Sequence, residues 1–161
     1  MFVLEKVSRS INNWIEPLLF GLGFSMTVIV AIQVFSRYVL NHSLFWSEEL
    51  ARYLLVWLTF LGASVAYRRK VHPSIDIVFV RTSPSVQKLF TILVHLASIL
   101  LFGIMIFFGF KFSYFVRLQI SPALHLPKWI IFSIIPISGF ALMIHGLAFL
   151  FRDMKRIDRD S

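Results

Sequence analysis

The chain has 161 residues, of which 58% are hydrophobic and 15% charged, with a formal net charge of +8 and a mean hydropathy of +0.79. So short a chain cannot hide that much apolar surface in its own interior, because small domains bury the smallest fraction of their surface. Lipid must cover it, which excludes a soluble globular enzyme, a disordered tail and a collagen-like rod. The absence of cysteine excludes disulfide frameworks, zinc ribbons and thiolate chemistry. The positive charge reads as loops facing anionic headgroups rather than as a nucleic-acid surface.

A membrane-crossing helix needs roughly 20 mostly apolar residues. In chain order the spacing of charges predicts spans over 17–38, 47–67, 89–110 and 129–151. The fold expected is an all-α integral membrane protein, one membrane domain over 1–161 with four transmembrane helices. The first apolar run is too long for a signal-peptide core and no small-x-small cleavage site follows it, so a retained span is expected. Before it, Phe2 to Trp14 mixes apolar and polar residues and is expected as a short interfacial helix. The second span takes in Glu48, Glu49 and Arg52 in its first turns, with Ser47 as the expected N-cap. Between the second and third spans the 68–88 loop runs from Arg68, Arg69 and Lys70 through an apolar stretch around Asp76 to Arg81 and Lys88. A strand exposed in lipid is not viable, so this loop is expected at the interface, its five cations on headgroups. Pro127 suits the start of the last span, and Pro136 inside it should kink the helix.

Four spans place both termini on one side. Eleven of the sixteen Lys and Arg lie on that side, in the N-terminus, the 68–88 loop and the tail. The positive-inside rule then puts both termini in the cytoplasm. Trp14, Trp46 and Trp129 fall at span ends, where indoles prefer the interface.

No Asp, Glu, Lys or Arg lies in the middle of any span. A carrier usually needs intramembrane charge or broken helices near the midplane, so a solitary carrier is disfavoured. His95 and His145 lie at similar depth by residue count, each six residues from the terminal-side end of its span. That is the arrangement of two axial haem ligands, and equally of two polar side chains satisfying each other. The alternative function it suggests is a haem- or quinone-binding anchor of a redox complex. Glu48 and Arg52 are four apart and Glu49 and Arg52 three apart, so each pair can meet on one helix face. With Arg37 at similar depth they are snorkelling charges or a polar patch that locks the first two helices together or to a partner. Gly62 and Ala66 form a small-xxx-small pair after Trp57, suited to close helix approach.

The run Arg37-Tyr38-Val39-Leu40-Asn41, then Trp46-Ser47-Glu48-Glu49-Leu50-Ala51-Arg52, Trp57, Gly62, Arg68, His72 and Asp76, resembles the small four-helix membrane subunit of tripartite ATP-independent periplasmic (TRAP) transporters. A second patch, Ser121-Pro122-Ala123-Leu124 with Leu126-Pro127, Trp129 and Pro136, is similar to the stretch that opens the last helix in that family. The resemblance implies an inner-membrane, non-enzymatic subunit without cofactor, substrate site or metal. It implies a large membrane subunit on a separate chain, carrying solute and sodium sites in an elevator-like domain, and a soluble periplasmic binding protein that meets the complex transiently. Uptake of an organic acid, such as sialic acid or a C4-dicarboxylate, would be driven by a sodium gradient. On that basis Arg37, Trp46, Glu48, Glu49, Arg52, Trp57 and Gly62 are candidates for helix geometry or large-subunit contact. Asn41, His42, Lys111, Arg117 and Lys128, in or beside the other two loops, are candidates for binding-protein contact, and membrane lipids are expected at the basic loops.

Overall fold

The computed structural model describes residues 2–69 and 84–157. Four of its helices are long and apolar enough to cross a membrane. Helix α1 runs Phe2–Tyr38, α2 Phe45–Arg68 and α3 Pro84–Phe115; a short α4, Lys128–Phe132, leads into α5, Ile134–Ile157. Among the described residues the only β pairing is a single bridge between Ile120 and Pro127.

Helix α1 has 37 residues and at ~1.5 Å per residue is about 55 Å long, well beyond the ~30 Å hydrocarbon core. The stretch expected as a separate interfacial helix is therefore its N-terminal part, continuous across Pro17. The reason is tertiary. Ser8 is fully buried and Ile15 joins the core of Leu61, Val65, Ile134 and Ala141, so these turns pack on α2 and α5. Trp14 accordingly sits inside α1, fully displayed on its outer face, whereas Trp46 and Trp129 lie at helix starts. Glu5 in the first turn and Arg37 in the last complement the helix dipole.

Helix α5 is the hub. In its apolar stretch 56% of residues are buried, against 0%, 17% and 6% in α1, α2 and α3. It packs on α1, α2 and α3, while α3 rests almost wholly on α5 and α4, with Tyr67 of α2 reaching the edge of Phe102. Glycines allow the α3–α5 approach. A Cβ on Gly139 would lie 3.0 Å from the Ile106 side chain and 3.3 Å from its backbone nitrogen, and one on Gly109 would lie 2.9 Å from the Pro136 ring. A Cβ built on Gly62 would meet no other element within 4 Å, so among the described residues the close approach expected there is not made.

The last span breaks where its proline requires it. Pro136 has no N–H to offer the Phe132 carbonyl, and the helix is interrupted at Ser133 between α4 and α5. Helix α3 continues past residue 110 to Phe115, taking in Lys111. Helix α2 starts at Phe45, with Leu44 at its N-cap and no side-chain cap. Ser47 is thus not the cap: it lies in the first turn, fully buried, and its hydroxyl donates back to the Leu44 carbonyl at 2.7 Å.

A clamped loop at one end of the bundle

The connections 39–44 and 116–127 share one end of the bundle, and the N-terminal turns of α1 and the C-terminal turns of α5 share the other. At the loop end, α1 closes with Ser36, whose hydroxyl donates to the His42 carbonyl at 2.6 Å and whose carbonyl accepts from the His42 amide at 3.0 Å. Asn41 takes a left-handed conformation, φ 50°, which Asn tolerates better than most side chains. This turn brings Arg37 to Glu48 at 3.1 Å, an exposed ion pair joining α1 to α2.

Glu49 does something different. Its carboxylate accepts the backbone amides of Ala123 and Leu124, at 2.8 and 3.1 Å, and the hydroxyl of Tyr53 one turn along α2. Two adjacent amides at the opening of a turn form a concave donor pair that suits an anion. The turn they belong to is itself tightly tied. The Ser121 amide donates to the Leu126 carbonyl, the Leu126 amide to the Ser121 hydroxyl, and the His125 amide to the Ser121 carbonyl. His125 completes it at φ 52°, and Ser121 is buried. Trp57, two turns below Glu49, donates its indole N–H to the Ile131 carbonyl at 3.1 Å, in the short helix just before the break. Both patches singled out in the sequence, 46–57 and 121–136, therefore meet, and the contact runs through backbone groups.

The intrahelical pairs expected for Arg52 are not formed. Glu48 turns to Arg37 and Glu49 to the 121–127 turn, leaving Arg52 exposed and without an ion pair among the described residues. The pairings it lost went to groups from other elements, which residue spacing along one helix does not reveal. Asn41 and His42 are exposed on the 39–44 turn. Lys128 is tied back to Gln119, amide to carbonyl at 2.9 Å and ammonium to side-chain oxygen at 3.3 Å. Lys111, one turn before the end of α3, and Arg117, just past it, line an apolar groove beside that helix. The Ser121, Ala123 and Leu124 backbone donors were missed as site groups. Only the turn-forming Ser-Pro pair in front of them hints at their role.

At the terminal end, the His95 Nε2–H donates to the Asp153 carboxylate at 3.1 Å, and His145, fully buried, pairs with the Ser8 hydroxyl at 2.7 Å. Asp153 lies eight residues beyond His145, about 12 Å along α5. The histidines are therefore not level and do not pair with each other, and the arrangement of two axial ligands is not made. Their equal depth by count failed because α3 and α5 extend beyond their apolar runs. Among the described residues no group of three or more His, Asp or Glu could hold a metal ion. Arg69 pairs with Glu16 at 2.8 Å, and Arg68 and Arg152 both approach the ring of Phe149, at 5.4 and 4.9 Å. Of the other cations expected on headgroups, Lys70 and Arg81 lie outside the described residues, and the Lys88 side chain is likewise outside them.

The profile of the family described as "Tripartite ATP-independent periplasmic transporters, DctQ component" matches residues 26–156. The chain is 25% identical over 158 residues to the sialic acid TRAP transporter small permease protein SiaQ of Vibrio cholerae, covering 94% of this chain and 88% of that one. It is 28% identical over 142 residues, 81% of its length, to the isethionate TRAP transporter permease protein DctMQ of Oleidesulfovibrio alaskensis, of which the match spans 22%. A further relative, from Haemophilus influenzae, is 30% identical over 82 residues, about half of each chain (51%).

Proposed function

We propose a function from one premise: this chain belongs to the DctQ component family of tripartite ATP-independent periplasmic transporters. In our reading it is the small membrane subunit, binds no solute itself, and packs on the fixed scaffold of a large elevator-type permease subunit. Relatives of this family include a single, much longer permease chain of which a stretch like this one is about a fifth, and that supports a large permease as its partner. The complex would lie in the bacterial inner membrane with both termini of this chain cytoplasmic, as the distribution of Lys and Arg favours.

The observation that carries the reading is the family match, which spans the clamped loop end and most of the four spans. The physics agrees with it. No span carries mid-membrane charge, which disfavours binding of an organic acid or an ion in the bilayer by this chain alone. It displays instead long apolar helix faces, those of α1 and α3 above all. An elevator domain that drags solute through lipid needs a scaffold that stays in place, and extra helices fixed to that scaffold enlarge the part held by the bilayer. Arg37, Glu48, Glu49 and Trp57 would hold this subunit's loop end in the shape its partner meets, while Trp46, Arg52 and Gly62 remain open to contact it. The exposed 39–44 turn, with Asn41 and His42, and the 116–128 loop would face the binding protein.

The test is reconstitution. Proteoliposomes carrying this chain with its large subunit, supplied with the binding protein and an outward-to-inward sodium gradient, should take up a labelled organic acid, with sialic acid the first probe. Uptake should vanish when the gradient is collapsed or when this chain is left out. Full uptake without this chain, or uptake by this chain alone, would overturn the reading.

A further inference from the structure

A groove of about 870 Å³ lies on the outer side of α3, with Ile135 contributing from α5. Its walls are apolar: Ile104, Phe108, Phe112 and Leu118 all line it, and each of these four is more than 40% exposed. Lys111, Arg117 and Tyr114 lie at the same groove. From Ile104 to the end of α3 at Phe115 the wall is roughly 17 Å long at ~1.5 Å per residue. One leaflet of the hydrocarbon core is about 15 Å deep, half of ~30 Å. The groove therefore runs from mid-bilayer to one boundary, and its cations cluster at the boundary.

Neither cation is neutralised. Among the described residues, Lys111 and Arg117 form no ion pair with a carboxylate. The Arg117 guanidinium rests 3.7 Å over the Tyr114 ring, a stacking that holds the head in place without consuming its hydrogen-bond donors. Lys111 lies one turn inside the helix end, close enough for a lysine stem to snorkel along the apolar wall to the headgroup level. Apolar length for one leaflet, ending in two unpaired cations, is complementary to one kind of molecule. We propose that this groove binds one anionic phospholipid, its acyl chain along α3 and its phosphate on Lys111 and Arg117.

The proposal stands on the groove and not on the transport reading. Native mass spectrometry of the full chain in mild detergent tests it, with phosphatidylglycerol or phosphatidylcholine of identical acyl chains added in turn. Phosphatidylglycerol should be retained preferentially. The double variant Lys111→Gln/Arg117→Gln should weaken it about 30-fold, the effect of two headgroup-level cations, and leave phosphatidylcholine unchanged. Ile104→Trp, which narrows the groove, should weaken both lipids. Exchanging the cations, Lys111→Arg with Arg117→Lys, should preserve phosphatidylglycerol binding and so separate loss of charge from loss of fold.

Four results would overturn the proposal. They are equal retention of both lipids, the same loss from Arg9→Gln on the exposed face of α1, and displacement of phosphatidylglycerol by inorganic phosphate alone, which would mark a free-anion site. The fourth is unchanged phosphatidylglycerol retention in the double variant.

Discussion

Glu49 on α2 holds the backbone amide of Ala123 at 2.8 Å across 74 residues of chain, and with its other contacts ties the 121–127 turn to the second helix. A carboxylate fits this place because both facing groups are N–H donors. Glutamine can keep one oxygen on the two amides but loses the negative charge that strengthens both bonds and the acceptor that faces the Tyr53 hydroxyl, and aspartate is one methylene short. Glu49→Gln should raise amide exchange of residues 121–126 roughly tenfold and leave the middle of α5 unchanged. Hydrogen–deuterium exchange in detergent reads this directly, and equal protection in the two proteins would remove the clamp.

The indole of Trp57 makes the second tie, to the Ile131 carbonyl. Trp57→Phe keeps most of the packing and removes only the donor. A hydrogen bond of this kind contributes about 0.5–1.5 kcal/mol, so a small but measurable drop in thermal midpoint is expected in the purified chain. Trp57→Leu should lower it further. If Trp57→Phe melts with the wild type, the contact is incidental.

Glycines separate tight from open surfaces. Gly139→Val places branched bulk where even a Cβ would meet Ile106, including a backbone nitrogen that cannot rotate aside. Overpacking costs about 1–3 kcal/mol, and since α3 has little support besides α5 and α4, its docking should fail first. Gly62→Ala meets nothing in this chain and should be neutral or slightly stabilising for the isolated subunit. Cysteine crosslinking between α3 and α5 would show the first effect, thermal melting the second. A loss of co-purifying large subunit in Gly62→Ala would mark the α2 face as its contact.

Arg37 and Glu48 form an exposed pair, each side chain 49% exposed, so single neutralisations should change stability little. Charge reversal is more telling. Arg37→Glu should loosen the α1–α2 end through like-charge repulsion, and Glu48→Arg in the same chain should restore it. A double-mutant cycle gives the coupling, and zero coupling would assign both residues to solvent.

Ser8 and His145 are both fully buried and bonded to each other. Ser8→Ala leaves a buried ring nitrogen without its partner, an effect of about 1–3 kcal/mol. Thermal unfolding should show it, and a larger loss is expected for Ser8→Val, which adds bulk at a site with no free surface.

Much of the architecture was legible because lipid imposes a one-dimensional rule. Apolar runs of about 20 residues cross the bilayer whatever their neighbours do, and Pro136 interrupts a helix through its own missing N–H. Helix ends were less legible. Helix α1 begins fifteen residues before its expected span because its N-terminal turns find partners on α2 and α5. The polar contacts were legible only as a set of residues. Glu49, Trp57 and the Ser121–Leu124 stretch were all conspicuous, yet their partners are backbone groups, which carry no signature in residue identity.

What the sequence by itself determined is therefore the solvent: four apolar spans, with Asp, Glu, Lys and Arg confined to their ends. Only the tertiary structure decided which charges meet. It set Glu48 on Arg37 and Glu49 on the 121–127 turn, leaving Arg52 open, and it placed His95 of α3 beside Asp153, about two turns along α5 from His145. Preference for lipid over water is a property of each residue and is readable from composition. Pairing depends on the rotation and offset of neighbouring helices, which the packing of glycines and rings around α5 sets, and residue spacing within one helix does not contain it.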